Sequence, residues 1–473
     1  MYILGISAFY HDSAAALLSD DNILAAAQEE RFTRRKHDPS FPINAVRYCL
    51  EEAGLSIDEL DAVVFYDKPF IKFERLLETY YAFAPKGLKS FIAAIPVWIK
   101  EKLMLKKMIL DKLADIGKVD KSKIRLLFPE HHLSHAGSAF FPSPYEESAI
   151  LTIDGVGEWA TASISHGKGN SIKILRELKF PHSVGLLYSA FTYYLGFKVN
   201  SGEYKLMGLA PYGNPDSGMF EKYVRLIREN IVTVKEDGSI WLNQEYFDYA
   251  TGLKMVDDEK WAALFSIPKR RPDDDISQEH CNLALAIQKV TEEIVFSMAK
   301  EAKRLTNSRH LCLAGGVALN CVANGKLIKS GLFEDIWIQP AAGDAGGALG
   351  GAYCGYHIYF NMPRKTNGSK DKMQGSYLGP AFSDKEIEKS IRQFKPVFKY
   401  FNDFNILYDK VAQLLSEGNV IGWFQGRMEW GPRALGNRSI LADARNTEMQ
   451  KKLNLKIKFR EGFRPFAPSV LAE

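Results

Sequence analysis

The stretch HHLSHAGSAF, residues 131–140, sets His131 and His135 four positions apart. On a helix, residues i and i+4 share a face, so both imidazoles can converge on one ion. A zinc protease would place its general-base glutamate at position 132, which is His132 here, so hydrolytic zincin chemistry finds no support. Histidine pairs at this spacing also occur in ordinary cores and on surfaces, so the pair alone decides nothing. Two carboxylates add to it. LTIDG ends an apolar run with Asp154, and AAGDAGGALGGA places Asp344 in a glycine-rich turn leading into a small-residue helix. Two imidazoles with one or two carboxylates suit a divalent ion such as iron, manganese or zinc, with positions left open for substrate. Aspartate beside glycine also serves simply to cap turns.

Glycine loops supply a second kind of chemistry. LCLAGGVALNCVANG sets Gly315 and Gly316 between an apolar strand and a helix, with Asn320 expected one turn in. Backbone N–H groups at a helix start attract phosphate, and Asn320 could bond a ribose or base. GVGEWA is a truncated relative of the dinucleotide fingerprint, but a strand is expected after it, which disfavours that reading. No GxxxxGK[ST] occurs, which excludes the P-loop class. GEYKLMGLAPYG adds Glu203 and Lys205 beside a Gly-Pro-Gly segment that reads as mobile. Arg34, Arg35, Lys36 and His37, in RFTRRKHDPSFP, form an acceptor or anion loop, or else a solvated one. Arg427, Arg433 and Arg438 cluster in FQGRMEWGPRALGNRS with Asn437 and Ser439, and FREGFRPFAP adds Arg460 and Arg464. Arginines in a Gly/Pro-bounded loop suit bidentate phosphate recognition.

The elements that position these residues come from an internal duplication. YILGISAFYHDSAAALLSDDNILAAAQEERF reads strand, polar turn, strand, tight turn, strand, and SAILTIDGVGEWATASISHGKGNSIKILRELKF repeats that order. His11 and Asp12 lie in the first copy's turn, and Asp154 and Gly155 in the second's. Two such units with helical segments predict an α/β chain with the duplicated fold of the actin, Hsp70 and sugar-kinase superfamily, nucleotide lying between the halves. A helical insertion separates the copies; residues 71–125 carry 13 Lys+Arg against 6 Asp+Glu. That insertion is expected to bury an apolar stripe with its lysines solvated, rather than to lie on a membrane. PRKTNGSKDKMQGS reads as a linker. The expected organisation is therefore 1–365, a linker at 366–376, and a second α/β domain over 377–473.

The 473 residues suffice for two or three domains, and 46% hydrophobic with 25% charged residues is ordinary for a globular chain. A net charge of +4 does not call for nucleic acid. Five scattered cysteines without a CxxC pair argue for a reducing compartment, and no leader or membrane-spanning run is read, so a cytoplasmic location is expected.

Taken in order, GISAFYHDSAAAL, EERFTRRKHD, EHHLSHAGSAFFPSP, IDGVGEWATAS, GEYKLMGLAPYG, LAGGVALNCVANG, PAAGDAGGALGGA and GRMEWGPRALGNRSIL cover essentially the whole chain. The set resembles the O-carbamoyltransferases of the nodulation-protein-U and antibiotic-carbamoylation type. The resemblance implies a first domain like the tRNA threonylcarbamoyl transferases and a second that is YrdC-like, with only its N-terminal part here. It implies that carbamoyl phosphate and ATP give carbamoyl adenylate at the arginine loop (Arg427, Arg433, Asn437, Arg438, Ser439, Arg460, Arg464). A small-molecule hydroxyl, sugar-like or antibiotic-like, then attacks the carbamoyl carbon. It further implies His131, His135 and Asp344 as ligands of a divalent metal, iron foremost, with Asp154 beside it. Gly155, Gly202, Glu203, Lys205, Gly315, Gly316 and Asn320 would line the nucleotide side, and His11 and Asp12 would act on the acceptor. A homodimer is part of the same expectation. An ATP-dependent small-molecule kinase and a non-catalytic nucleotide-gated binding module are the two other readings the fold admits.

Overall fold

Why the repeat folds as it does follows from its strands. Tyr2–Ser7 (β1) and Ala14–Ser19 (β2) are almost wholly buried, small and β-branched or aliphatic residues filling both faces. A computed structural model describes residues 1–98, 104–117, 120–366 and 368–471. By contact the chain divides into two compact units, Met1–Gln374 and Gly375–Glu473.

In the first unit β1 pairs antiparallel with β2, and β2 with Asn22–Gln28 (β3). The short helix Glu30–Thr33 (α1) and Ile43–Ala53 (α2) return the chain to Ala62–Phe65 (β4), parallel to β1. Pro69–Phe83 (α3), Leu88–Trp98 (α4) and Leu105–Ala114 (α5) precede Leu126–Leu127 (β5), which lies parallel to β4. His131–Phe140 (α6) follows. The sheet order is β3-β2-β1-β4-β5.

The second half repeats this plan. Glu147–Ile153 (β6), Ala160–Lys168 (β7) and Ser171–Lys179 (β8) form the antiparallel meander. Val184–Tyr194 (α7), Glu203–Leu209 (α8) and Gly218–Leu226 (α9) come next, then the hairpin Val232–Val234 (β9) with Ile240–Leu242 (β10). Asp258–Phe265 (α10) and Gln278–Thr306 (α11) lead to His310–Ala314 (β11), parallel to β6. Cys321–Lys329 (α12) crosses to Asp335–Ile338 (β12), and Asp344–Tyr353 (α13) ends the half. Its sheet order, β8-β7-β6-β11-β12, is the first order over again. The fold is the duplicated α/β fold read from the repeat.

Two of the helices trade places. α6, the last helix of the first half, packs on β6, β7 and β11, whereas α13, the last of the second, packs on β1, β2 and β4. The two run against each other between the sheets. At Gly350 a Cβ would stand 1.7 Å from the Ser134 carbonyl oxygen, and at Gly5 one would stand 1.8 Å from that of Ala348. The small residues of AAGDAGGALGGA thus let backbones meet, helix on helix and helix on strand.

The basic insertion divides in its behaviour. Leu105, Ile109 and Leu113 of α5 fill one face of the first core, while Lys106, Lys107 and Lys112 face solvent. On α4 Leu88 and Ile92 stand exposed. Residues 99–103 and 118–119 of that stretch lie outside the described residues. No helix among the described residues is long and apolar enough to cross a membrane.

The stretch expected as a linker is instead anchored at several points among its described residues. It carries one buried charge, Arg364, and reaches a second, Asp21. Arg364 donates from Nε to Phe141 O (3.0 Å), from Nη1 to Tyr145 O (2.6 Å) and from Nη2 to Phe140 O (2.7 Å) and Ser143 O (2.8 Å). A cation thus closes the C-terminal carbonyl end of α6, where the helix dipole favours it. Asp21, buried in the β2–β3 turn, takes Lys365 N (2.8 Å), Lys372 Nζ and His357 Nε2 (2.9 Å). Gln374 reaches Ile23 O at 3.1 Å.

The second unit, Gly375–Glu473, holds Asp384–Phe394 (α14), Phe404–Ser416 (α15), the antiparallel pair Ile421–Phe424 (β13) and Arg438–Leu441 (β14), and Met449–Lys452 (α16). Neither α14 nor α15 buries a side chain, although both are amphipathic, and Phe394, Phe398, Tyr400 and Phe404 are exposed.

Arg364→Met should take a shared donor from four carbonyl groups at and just beyond the end of α6 and cost about 3 kcal/mol or more. The midpoint of urea unfolding followed by circular dichroism measures this, and Arg364→Lys should not restore it, since one ammonium cannot span the same fork.

Candidate functional site

The duplicated fold puts equivalent pieces around one point. His131 and His135 come from the first turns of α6, and Asp344 opens α13. Asp154 directly follows β6, in the turn equivalent to the one that holds His11 and Asp12 after β1. His131, His135 and Asp344 are buried, and Asp154 is nearly so.

His131 Nε2 and His135 Nε2 are 3.1 Å apart, and His131 Nε2 is 3.1 Å from Asp154 Oδ2. Asp344 Oδ1 lies 3.7 Å from His131 Nε2 and 3.8 Å from His135 Nε2, and His135 Nε2 is 3.7 Å from Asp154 Oδ2. Donors about 2.1 Å from a common ion stand roughly 3.0–3.4 Å apart in octahedral or tetrahedral geometry. A shift of a few tenths of an ångström brings this set onto an ion, so the donors fit a divalent cation. The charge demands the same. Burial alone would neutralise Asp154, but its bonds to His131 and His135 hold it well below the usual carboxylate range. Burial opposes protonation of His131, and Asp154 and Asp344 together outweigh it and raise the imidazole. Two carboxylates and two imidazole nitrogens converge on one point, a donor set of the kind that suits a divalent cation.

The ligands are held by their neighbours. Gly316 N–H donates to Asp154 Oδ1 at 2.9 Å, and Tyr66 O–H reaches Asp344 Oδ2 at 3.4 Å. His132, in the place of a protease glutamate, turns away from the cluster. Its Nδ1 bonds Thr152 Oγ1 at 2.8 Å; burial, then the neighbouring His131 and His135, push it down to about 3. It is a neutral core residue that joins α6 to β6.

A second group faces the cluster. Asp12 accepts from His11 Nδ1 at 2.9 Å with one oxygen and from His37 Nδ1 at 2.8 Å with the other. His11 Nε2 then points at Asp344 Oδ2, 3.8 Å away. Asp12 and His37 both sit at positive φ, 53° and 57°, a conformation these residues hold only where the surroundings fix it. The loop is strapped by Phe9 N to Pro39 O (2.8 Å) and Ser13 N to Asp38 O (3.0 Å). Burial opposes charging His11, yet Asp344 and Asp12 push it up to about 9. Of the expected anion loop, Arg34, Arg35 and Lys36 are exposed, and His37 alone turns inward onto Asp12.

On the nucleotide side the structure gathers some residues and commits others to the protein itself. Asn320 is the N-cap of α12 and not a turn within it: Gly316–Leu319 is a 3-10 turn, and the helix begins one residue after Asn320. Its Oδ1 accepts Ala323 N at 3.1 Å, and its amide pairs reciprocally with Gln288, at 3.0 and 3.1 Å. Gln288 also accepts from Tyr188 O–H (2.8 Å) and donates to Glu292 (3.0 Å), which meets Lys326. Glu203 takes Ser189 Oγ (2.6 Å) and Asn200 N (3.1 Å) at the start of α8, and Lys205 lies over the Phe197 ring. The segment read as mobile is α8 followed by the 3-10 turn Ala210–Tyr212. Gly315, at φ 87°, is pressed against Ile153 O, and Gly155 O accepts Ser183 Oγ at 2.7 Å. At Gly202 a Cβ would stand 2.6 Å from Lys198 O.

In the second unit Glu429 organises the arginine loop. Its Oε1 accepts Leu435 N (2.8 Å), Asn437 N (3.0 Å) and Arg438 N (3.1 Å). Arg427 binds the backbone, with Gly379 O at 3.1 Å and Leu378 O at 3.0 Å, and its carbonyl accepts Asn437 Nδ2 at 2.8 Å. Ser439 and Arg438 lie on β14 opposite Trp423 and Phe424. Arg460 Nε donates to Asn454 Oδ1 at 2.7 Å and Arg464 pairs with Glu461 at 4.0 Å; burial, then the charge of Arg464, lowers Arg460, and burial, with a smaller push from Arg433, lowers Arg464. Sequence reasoning missed Glu158, Tyr66, Gln288 and the organising part of Glu429, single residues that belong to no spaced pattern.

With this geometry in view, the comparisons with known proteins decide the family. The profile for the carbamoyltransferase N-terminus matches residues 2–353, and that for the carbamoyltransferase C-terminus matches residues 412–473. The chain belongs to the carbamoyltransferase family. It is by that membership an enzyme of carbamoyl transfer. An uncharacterized protein of Synechocystis, sll1178, is 57% identical over all of this chain and 76% of its own length. Nodulation protein NolNO of Sinorhizobium fredii is 37% identical over 99% of this chain and 63% of its own length. Nodulation protein NolO of Bradyrhizobium diazoefficiens is 37% identical over 72% of this chain and 58% of its own length. The chain thus spans about three-fifths of the two nodulation proteins.

Two variants probe the cluster. His131→Ala should abolish stoichiometric binding of one divalent ion, read by elemental analysis after gel filtration. Gly350→Ala should force α13 off the Ser134 carbonyl, cost about 3 kcal/mol, and weaken metal binding as well, because His135 and Asp344 lie on the two helices it separates.

Proposed function

We propose that this chain is an O-carbamoyltransferase that uses carbamoyl phosphate and ATP, through carbamoyl adenylate, to carbamoylate a hydroxyl of a sugar-like or antibiotic-like small molecule. The observation that carries the reading is the His37–Asp12–His11 chain aimed at the four-donor cluster, in a family whose named reaction is carbamoyl transfer. Formation of the adenylate consumes one water and releases phosphate and pyrophosphate. We assign that step to the second unit, where Arg433, Arg460 and Arg464 gather positive charge and Glu429 fixes the loop carrying Arg427, Asn437, Arg438 and Ser439. Guanidinium forks hold phosphate oxygens at two points, which suits the triphosphate and carbamoyl phosphate.

Transfer follows at the first unit. The acceptor O–H attacks the carbamoyl carbon, the C–O bond to AMP breaks, and AMP departs with the electron pair. Asp12 accepts the Nδ1 proton of His11 and so leaves Nε2 as the nitrogen that takes the hydroxyl proton. A divalent cation held by His131, His135, Asp154 and Asp344 supplies Lewis acidity to the carbonyl or phosphate oxygen. A cation held there would offset the Asp344 charge that raises His11 and so favour its neutral form. The donor set, two imidazoles with carboxylates, suits iron, with manganese and zinc as alternatives. The cysteines Cys49, Cys281, Cys312, Cys321 and Cys354 are all free, which supports a cytoplasmic setting.

With intact protein, ATP, divalent metal and carbamoyl phosphate, pyrophosphate release should depend on carbamoyl phosphate. ADP as the sole nucleotide product would mark a kinase, and no product at all would mark a binding module. His11→Ala should slow acceptor carbamoylation by about 10²–10⁴-fold, measured as transfer of labelled carbamoyl to a panel of polyols.

A further inference from the structure

Glu158 ends the turn that begins at Asp154, and its side chain is buried. Both of its carboxylate oxygens stand 3.1 Å from His131 N, and Oε1 also accepts Lys68 N at 2.7 Å. His131 N–H is among the first amides of α6, which have no acceptor inside the helix. The residue at the N-cap position, Glu130, makes no side-chain cap bond. Glu158 therefore caps α6 from another part of the fold, with its charge at the positive end of the helix dipole.

What these bonds join matters more than their number. The turn carries Asp154, and α6 carries His131 and His135. Lys68 lies two residues after Tyr66, whose hydroxyl reaches Asp344 and whose carbonyl accepts Ser134 Oγ at 2.9 Å. The turn itself is pressed onto the imidazoles. A Cβ at Gly157 would lie 3.0 Å from His131 Cβ and 3.1 Å from His132 Cδ2, and Arg75 Nη1 holds Gly157 O at 2.8 Å. Every ligand is thus one short path from a single carboxylate that touches none of the donor atoms.

We propose that Glu158 is a positioning residue for the metal centre, setting the α6 imidazoles in register with Asp154 and with the Tyr66–Asp344 contact. This rests on the metal reading of the cluster. The donor separations of 3.1 to 3.8 Å leave little room for drift before the set ceases to surround one ion. In Glu158→Gln the side chain keeps its volume and one acceptor oxygen. Its amide N–H₂ replaces the second oxygen, and two backbone donors then compete for one acceptor.

The test titrates Mn²⁺ into metal-stripped protein, with free Mn²⁺ read by electron paramagnetic resonance, and records melting of the metal-free proteins alongside. Wild type should bind one equivalent, His131→Ala none, and Glu158→Gln at least ~10-fold more weakly than wild type. Thr161→Val, which removes a buried hydroxyl bonded to Leu178 O on β8 and to His182 O just after it, should bind like wild type whatever its melting temperature. A weaker Glu158→Gln beside an unaffected Thr161→Val supports the proposal, because general loosening of the fold would move both. Wild-type affinity in Glu158→Gln overturns the positioning role and leaves the metal site standing. Failure of wild type to bind overturns the metal site, and the positioning role falls with it. Should Glu158→Gln not fold, Glu158→Asp, one methylene shorter, is held to the same ~10-fold criterion.

Discussion

Two buried carboxylates, Asp154 and Asp344, meet two imidazoles within 4.8 Å of one another. Like charges gathered out of water are costly unless something of opposite sign joins them. That one constraint organises much of the first unit. It accounts for the hydrogen bonds on the far oxygens, from Gly316 N–H and Tyr66 O–H, which orient each carboxylate. It accounts for His11, poised on the outer side of Asp344, and for the strained loop that holds it there. The small-residue faces of α6 and α13 serve the same end, since only close backbones bring His135 and Asp344 together.

What the sequence disclosed and what it withheld divide along physical lines. Repeated alternation of strand and turn is a long-range pattern, and the same strand order twice over is its direct outcome. The four donors were legible because the two histidines are a helical turn apart and the two aspartates sit on recognisable glycine turns. His132 could not be placed from the chain alone: whether it faced the cluster or Thr152 depended on the roll of α6 against β6. Asn320 was placed a turn too deep because the 3-10 stretch Gly316–Leu319 reads like the start of the helix. The stretch after α13 has a linker's composition, and nothing local distinguishes Arg364 from a solvated arginine. Only the carbonyls at the end of α6, more than 200 residues earlier, give it a reason to be buried.

The arginine segment shows a different division of labour. Read along the chain, its cations formed one group. In space Arg427 braces the backbone, whereas Arg460 bonds Asn454 and Arg464 pairs with Glu461. The loop conformation depends on Glu429, whose single oxygen receives three amides. That buried carboxylate fixes the backbone from which Arg433 and Arg438 project.

The exchange of α6 and α13 between the sheets carries a consequence of its own. Each half lends its final helix to the other's core, as two subunits do in a swapped dimer. A chain cut between the halves, near the turn before β6, would leave each piece with a sheet face bare and a helix lacking its groove. The duplication has therefore lost its separability, and the halves are bound to melt and refold as one body. The His131, His135, Asp154 and Asp344 cluster sits at that exchange, where the two helices meet. Symmetry there is broken only by the side chains: histidines on one helix, an aspartate on the other.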